Sequence, residues 1–447
     1  MEEEKGEVAT PEYKPLFNRS LDRIWDFVDM RLGTQKWAVR PQPDFSFKPA
    51  YWTGGLVASA FLFQVITGLM LLLYYVPSTA PAPSGGLYYA GAPMAWASTY
   101  YIINSVPLGE FLLSTHLYGA YATIFLAFLH FFRGYYTGVY KRPRELTWMI
   151  GTLLLVSMLG MGFTGYLLPY TALSVGATDV GLVLTLNAPG GSMLGPIILG
   201  SGTSQALLSR MFALHVVGLP LILAGLLYAH ISLFETHGLA PKATSDPKAK
   251  RVLTEADDKK MPGRFFPKIF LYMTKWALFY AGALFLISSI WPWVLPTYYG
   301  SPTSGGVSPE PDWYFLWLYK FLDFCTVQSC ATLVPAIVGI AIPAVIIVFV
   351  LALPWLDREP FTSSKTHPRD RPLFVIIGNF LAGFFLVMTV WGGVMPGVEI
   401  PPSMYISYLG AIAAANAVVV TMLYWRYRRS YSRRLIARER RKTLGTE

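Results

Sequence analysis

Six histidines occur among 447 residues, and four of them stand as two pairs within apolar stretches: His116 with His130, and His215 with His230. A polar side chain in lipid is costly and usually functional, and imidazole is the commonest metal ligand. The spacings, 14 and 15 residues, are close to four helical turns. Each pair therefore lies on roughly one helix face, its members about 21–23 Å apart along the axis. On two helices running in the same direction, His116 faces His215 and His130 faces His230. Facing imidazoles suit the axial positions of a haem iron, so the pattern predicts two non-covalent bis-histidine haems stacked through a helix bundle. For any single histidine, a polar group bonded to a neighbouring helix is the competing explanation; the matched pairs favour metal.

Four glycines repeat the spacing: Gly54 and Gly68 are 14 apart, as are Gly151 and Gly165. On helices antiparallel to the histidine helices, Gly68 and Gly165 share the level of His116 and His215. Gly54 and Gly151 share that of His130 and His230. Glycine lets a flat macrocycle approach a backbone that any side chain would block. Small-residue helix packing is the alternative in a membrane, but the coincidence of levels favours a cofactor.

The elements that hold these residues are membrane helices. The chain is 53% hydrophobic and only 14% charged, where soluble domains carry about a quarter charged residues. Crossing a bilayer takes about 20 apolar residues. Eight stretches qualify: Tyr51–Val76, Phe111–Phe132, Trp148–Pro169, Met211–Phe234, Trp276–Pro296, Ala331–Leu356, Leu373–Met395 and Met404–Trp425. None contains a Lys, Arg, Asp or Glu. The expected fold is all-α and integral to the membrane, with eight transmembrane helices: a haem-binding four-helix bundle and four further helices.

Of the 36 Lys and Arg, all but Arg210, Lys275 and Lys320 fall on one side of these spans. The positive-inside rule then puts both termini in the cytoplasm of a multi-pass cell-membrane protein. The net charge of +10 reflects that asymmetry and a basic tail against anionic lipid rather than nucleic acid. The same order divides the chain into a cytoplasmic segment (1–50), the bundle (51–239), a polar cytoplasmic linker (240–268), a C-terminal membrane domain (269–425) and the basic tail (426–447). The outward loops are charge-poor and rich in Gly, Pro and aromatics, and are expected to fold against the helix ends. The polar opening from Met1 to Lys14 does not read as a cleavable signal. Cys325 and Cys330 are too few for a disulfide scaffold or a tetracysteine metal site. A disulfide between them stays open, since five residues along a regular helix point to different sides.

Taken together with its motifs, the sequence resembles cytochrome b of the quinol-oxidising cytochrome bc and bf complexes over nearly its whole length. The resemblance rests on His116 and His130 followed by Arg133, on the run KRPRELTW from Lys141 to Trp148, and on Gly165-Tyr166-Leu167-Leu168-Pro169. It continues through Arg210, His215 and His230 to Pro311-Asp312-Trp313-Tyr314. The basic run and the 15-residue spacing look more like the bf branch, and the back half resembles that branch's smaller subunit in fused form. The resemblance implies a bifurcated reaction. Quinol is oxidised near the outer face, and one electron goes to a separate Rieske iron–sulfur protein and on to a cytochrome c or copper-protein acceptor. The other crosses two haems, b-type or modified, to a quinone at the inner face, while protons leave outward. The complex is expected to be a homodimer. The chain has no Rieske Cys/His set and no Cys-x-x-Cys-His motif, so the first acceptor must be another subunit.

Site residues follow from the same resemblance. Asp312, where the family often has Glu, is expected to accept a quinol proton, with Tyr314 and Tyr166 beside it; a helix N-cap is its alternative. Arg133, at the inner end of the second span, suits a haem propionate, or else a lipid headgroup. Glu235 and His237, just beyond the fourth span, suit proton delivery to an inner quinone, or else plain interfacial solvation. Leu113 stands where the family often has a propionate-binding Arg. Trp52 stands where the plastid branch attaches an extra haem through Cys, and Tyr170 where Trp is usual. Two other classes remain open. Transmembrane haem reductases and oxidases need a flavin and nicotinamide domain, and no dinucleotide fingerprint is present. A non-enzymatic transporter or scaffold with structural histidines would be favoured by an inverted repeat, which is lacking.

Overall fold

The computed structural model describes residues 19–33, 41–42, 44–187, 191–198, 204–240, 263–264, 269–304, 310–322, 333–358, 367–396 and 404–443. Cys325, Cys330 and most of the 240–268 linker lie outside the described residues. Seven helices among those described are long and apolar enough to cross a membrane. They are α2 (Thr53–Leu72), α4 (Gly109–Thr137), α5 (Glu145–Leu167), α8 (Gln205–His237), α9 (Phe270–Ile290), α12 (Pro372–Val394) and the Ser407–Ser430 part of α13 (Tyr405–Thr443). The sequence predicts eight. The difference is α11 (Leu333–Leu356), a 24-residue helix whose described side chains begin at Ala341. Helix α13 runs unbroken past Trp425, so the basic tail continues a membrane helix instead of leaving it.

Five further helices are α1 (Arg19–Leu32), α3 (Met94–Ser105), α6 (Ala172–Asn187), α7 (Gly191–Ile198) and α10 (Trp313–Leu322). All but α1 lie in the Gly/Pro/aromatic loops that were expected to fold. A two-residue antiparallel pairing joins 41–42 to 263–264.

Local chemistry sets the helix ends that matter. Ser204 caps α8, its hydroxyl accepting from the Leu207 N–H. Gly138, at φ 67°, closes α4 with its N–H on the carbonyls of Gly134 and Tyr135, a left-handed cap that suits glycine. Within α8, Leu214–Gly218 form a π turn. Pro220 explains it: lacking an N–H and crowding the carbonyl four residues back, proline forces the ladder to widen.

Helices α2, α4, α5 and α8 form the bundle, α2 packing along α4 and α5 along α8. Helix α9 covers α2 and α4, while α12 packs along α10 and α13. Two sets of contacts fasten the back half to the bundle. Tyr135 donates to the Phe374 carbonyl at 2.5 Å and Tyr136 to Asn379 Oδ1 at 2.6 Å. Asp357, after α11, receives Lys141 Nζ at 2.6 Å, Arg371 Nε at 2.7 Å and the Tyr140 hydroxyl at 2.8 Å. Lys141 and Arg371 count as loop charges in the positive-inside reading; the structure buries both in this cluster.

Candidate functional site

The four histidines meet in the bundle as two pairs. The ring centres of His116 (α4) and His215 (α8) are 6.5 Å apart with planes at 81°; those of His130 (α4) and His230 (α8) are 6.4 Å apart at 78°. Two imidazole–metal bonds of about 2 Å each, plus the half-ring on either side, add to about 6 Å, so one ion fits between each pair. Among the described residues no three His, Cys, Asp or Glu converge as a metal site. An ion at either level therefore has two protein donors and must take its other ligands from elsewhere, as a macrocycle supplies them. The residues fit haem.

The one-residue difference in spacing has a structural cause. On a regular helix 14 residues fall about 40° short of four turns and 15 run about 60° past. The π turn at Leu214–Gly218 contains His215 and, before the chain reaches His230, absorbs one residue. The 15-residue pair on α8 thereby presents its rings as the 14-residue pair on α4 does.

Threonine hydroxyls orient three of the rings. Nδ1 of His116 lies 2.9 Å from Thr67 Oγ1, that of His130 3.0 Å from Thr53 Oγ1, and that of His215 3.2 Å from Thr164 Oγ1 and 3.1 Å from the Met161 carbonyl. Thr67 and Thr164 pass their own protons to carbonyls of their own helices, those of Phe63 and Gly160, and Thr53 to the Ala50 carbonyl just before α2. Each hydroxyl can then accept Nδ1–H, which leaves the Nε2 lone pair for the metal, the usual outer-shell arrangement. His230 differs: its Nδ1 is buried without a hydrogen bond of good geometry, beside the Thr147 backbone. Sequence reasoning missed these threonines, although a signal was there. Thr-Gly recurs at 53–54, 67–68 and 164–165, and only Ile150-Gly151 lacks the hydroxyl.

The glycines make contact with the imidazoles themselves. A Cβ on Gly165 would lie 2.6 Å from His215 Cε1, and one on Gly54 2.9 Å from His130 Cε1. On Gly68 and Gly151 it would lie 3.1 Å from His116 and His230. The expected reason for these glycines is approach of a macrocycle; the structure adds that the rings of the facing helices lie directly against them.

A cavity of about 600 Å³ opens at the His116–His215 level and reaches Tyr121, Tyr166, Asp312 and Tyr314. A smaller apolar cavity of about 100 Å³ shares Tyr166, Asp312 and Tyr314 and lies against Phe163 and Phe315. Asp312 sits between α9 and α10, its carboxylate accepting from Tyr121 at 2.6 Å and Tyr314 at 2.7 Å. Burial pushes its pKa above the ordinary carboxylate range, and the two phenol hydrogen bonds pull it back in part. The Tyr166 hydroxyl donates to the Glu310 carbonyl at 2.5 Å. Tyr121 is absent from the sequence reading, because nothing local links residue 121 to residue 312.

At the other level Arg133 lies over the Tyr51 ring at 4.4 Å. Glu235 and His237 end α8, half-buried, and the His237 carbonyl accepts from Arg144 at 3.0 Å. Leu113 lines the larger cavity. Tyr170 is buried at a left-handed φ of 51°.

Residues 121–297 match the family described as cytochrome b (N-terminal)/b6/petB, and residues 303–415 the one described as cytochrome b (C-terminal)/b6/petD. A cytochrome b of Sulfolobus acidocaldarius is 33% identical over 419 residues, 89% of this chain and 70% of that one. The chain belongs to the cytochrome b family. It is a multi-pass membrane haem protein of electron transport, the cytochrome b of a bc-type oxidoreductase complex, with N- and C-terminal parts fused in one chain. The menaquinol:cytochrome c reductase cytochrome b subunit of Bacillus subtilis is 36% identical over 241 residues, 49% of this cytochrome b and 98% of that subunit. A solved chain titled hyperthermophilic respiratory Complex III superposes with a TM-score of 0.64 at 25% identity, covering 90% of this chain and 99% of that one. Membership sets aside the flavin-fed reductase and the transporter readings.

Proposed function

We propose that the chain is the di-haem subunit of a quinol-oxidising complex, with a quinol site at the His116–His215 end and a quinone site at the His130–His230 end. The observation that carries this reading is the cavity joining the first histidine pair to Asp312, Tyr314 and Tyr166. His116 and His215 hold one haem iron and His130 and His230 the other, in pockets walled by Gly68 and Gly165 and by Gly54 and Gly151. Bound haem supplies one-electron iron chemistry. The positive-inside distribution makes the first end the outer one, with both termini cytoplasmic.

At the outer site the apolar walls exclude water and receive the quinol ring, and Asp312 takes the proton of its hydroxyl. Tyr314 and Tyr166 fix the segment that carries Asp312, Tyr166 through the Glu310 carbonyl. A separate Rieske iron–sulfur protein takes the first electron and passes it to a cytochrome c or copper protein. At the inner site Arg133 offers its guanidinium to a propionate, and Glu235 and His237 deliver protons to the quinone. The functional units keep the boundaries 51–239 and 269–425, and the complex is a homodimer.

Asp312→Asn in the membrane-bound complex tests the assignment. General-base catalysis contributes about a hundredfold or more, so quinol oxidation should fall by that order while both haem difference spectra persist. With wild-type Asp312, activity should be lost as pH falls through its raised pKa, because a protonated carboxyl cannot accept. Wild-type turnover of Asp312→Asn across pH would remove the proton-acceptor role.

A further inference from the structure

Tyr121 plays no part in the motifs of the sequence and stands 191 residues from Asp312, yet it donates to Asp312 Oδ1 at 2.6 Å. Tyr314 donates to Oδ2 at 2.7 Å. Each carboxylate oxygen thus carries one phenol, one from a bundle helix and one from the first turn of α10. Tyr121 follows His116 by five residues on α4, so the carboxylate is tied to the helix that holds an imidazole of the adjacent pair. Tyr121, Asp312 and His116 all line the cavity of about 600 Å³. Among the described residues, the titratable groups that interact with the carboxylate are Tyr121 from α4, Tyr166 from α5 and Tyr314 from its own segment, with Glu310 acting on Tyr166.

We infer that Tyr121 is a positioning residue for quinol oxidation: its phenol holds the Asp312 carboxylate towards the shared cavity and sets the pH range over which that carboxylate takes the quinol proton. This rests on Asp312 being the proton acceptor. In the step, the quinol O–H bond breaks, the proton forms a new O–H bond on Asp312, and the electron leaves to the iron–sulfur partner. Both phenols stay protonated. A hydrogen bond donated to a carboxylate favours its charged form, so losing Tyr121's makes Asp312 harder to deprotonate. Aspartate is short, and a second donor on a rigid helix is what keeps its two oxygens from turning into the apolar wall.

Tyr121→Phe removes the donor and keeps the ring. In the membrane-bound complex both haem spectra should persist, and the acidic limb of quinol oxidation should move to higher pH by about one unit. Tyr118→Phe, whose ring centre lies 6.4 Å from that of Tyr121, should leave the limb in place. In an Asp312→Asn background Tyr121→Phe should add no shift. Infrared difference spectra give a readout independent of turnover: the Asp312 carboxyl band, identified by its loss in Asp312→Asn, should titrate about one unit higher in Tyr121→Phe. An unmoved limb and band, with Asp312→Asn slow, overturn the role of Tyr121 alone. Wild-type turnover of Asp312→Asn overturns both that role and the acceptor on which it rests.

Discussion

Gly165→Ala should weaken haem binding at the His116–His215 level, whereas Gly151→Ala, 14 residues earlier on the same helix, should leave the other level nearly unchanged. Ordinary contact begins at 3.4 Å, and the Gly165 Cβ would stand 2.6 Å from His215 Cε1, so the ring must retreat by about 0.8 Å. At Gly151 the nearest approach is 3.1 Å, and about 0.3 Å suffices. An imidazole held by both iron and Thr164 cannot retreat far, and overpacking of this kind costs about 1–3 kcal/mol. Against it stands the gain of about 1 kcal/mol from replacing Gly by Ala inside a helix. At Gly165, where the overlap is largest, the clash sits at the upper end of its range and exceeds the gain, for a net loss of up to about 2 kcal/mol, or up to about 30-fold in haem retention. At Gly151 the two effects cancel. On α2, Gly54→Ala, at 2.9 Å, should fall between these cases, and Gly68→Ala, at 3.1 Å, should behave as Gly151→Ala. Haem-to-protein ratios and redox-resolved difference spectra of the four variants in native membranes would measure the order. Equal losses at Gly151 and Gly165 would refute the reasoning, since contact with the imidazoles would then not be what these glycines provide.

Thr67→Val should raise the midpoint potential of the haem proposed at the His116–His215 level by about 20–40 mV, and Thr164→Val by less, because the Met161 carbonyl still accepts from His215 Nδ1. The Nδ1 hydrogen bond makes the ligand more basic and favours ferric iron, and part of about 1 kcal/mol is lost; a redox titration reads the shift, and Ile150→Val should not move the inner haem. Asp357→Asn should destabilise the protein by about 3–5 kcal/mol, because it removes the carboxylate that the buried cations Lys141 and Arg371 share. Unfolding midpoints in detergent would check this, and Asp357→Asn with Lys141→Met should recover part of the loss.

The pairing of the four histidines was legible because it is carried by spacing within single helices. Period and direction alone bring His116 opposite His215, His130 opposite His230, and each glycine to its histidine. The placement of Asp312 on a loop at the His116–His215 end was legible for the same reason: counting spans gives the side on which a loop emerges. Contacts between elements distant in sequence were not legible. Tyr121 meets Asp312 because α10 docks against α4 and α5 at one rotation, and no periodicity encodes that. Lys141 and Arg371 illustrate the converse error. Their charge and loop position are those of solvated cytoplasmic residues, and the approach of Asp357 just after α11 compensates their burial.

The π turn in α8 joins these two kinds of information. Read as a regular helix, the 15-residue spacing rotates His230 about 100° further round the axis than 14 residues would. That is enough to carry a ligand from the bundle interior to its edge. Pro220 supplies the correction. It lies five residues beyond His215, removes one backbone donor and widens the ladder by one residue over Leu214–Gly218. The extra residue between the ligands and the proline that accommodates it are therefore one feature. Shortening α8 by a residue between His215 and His230 would restore matched rings only if Pro220 were replaced as well, because a proline in an otherwise regular turn would reopen the gap.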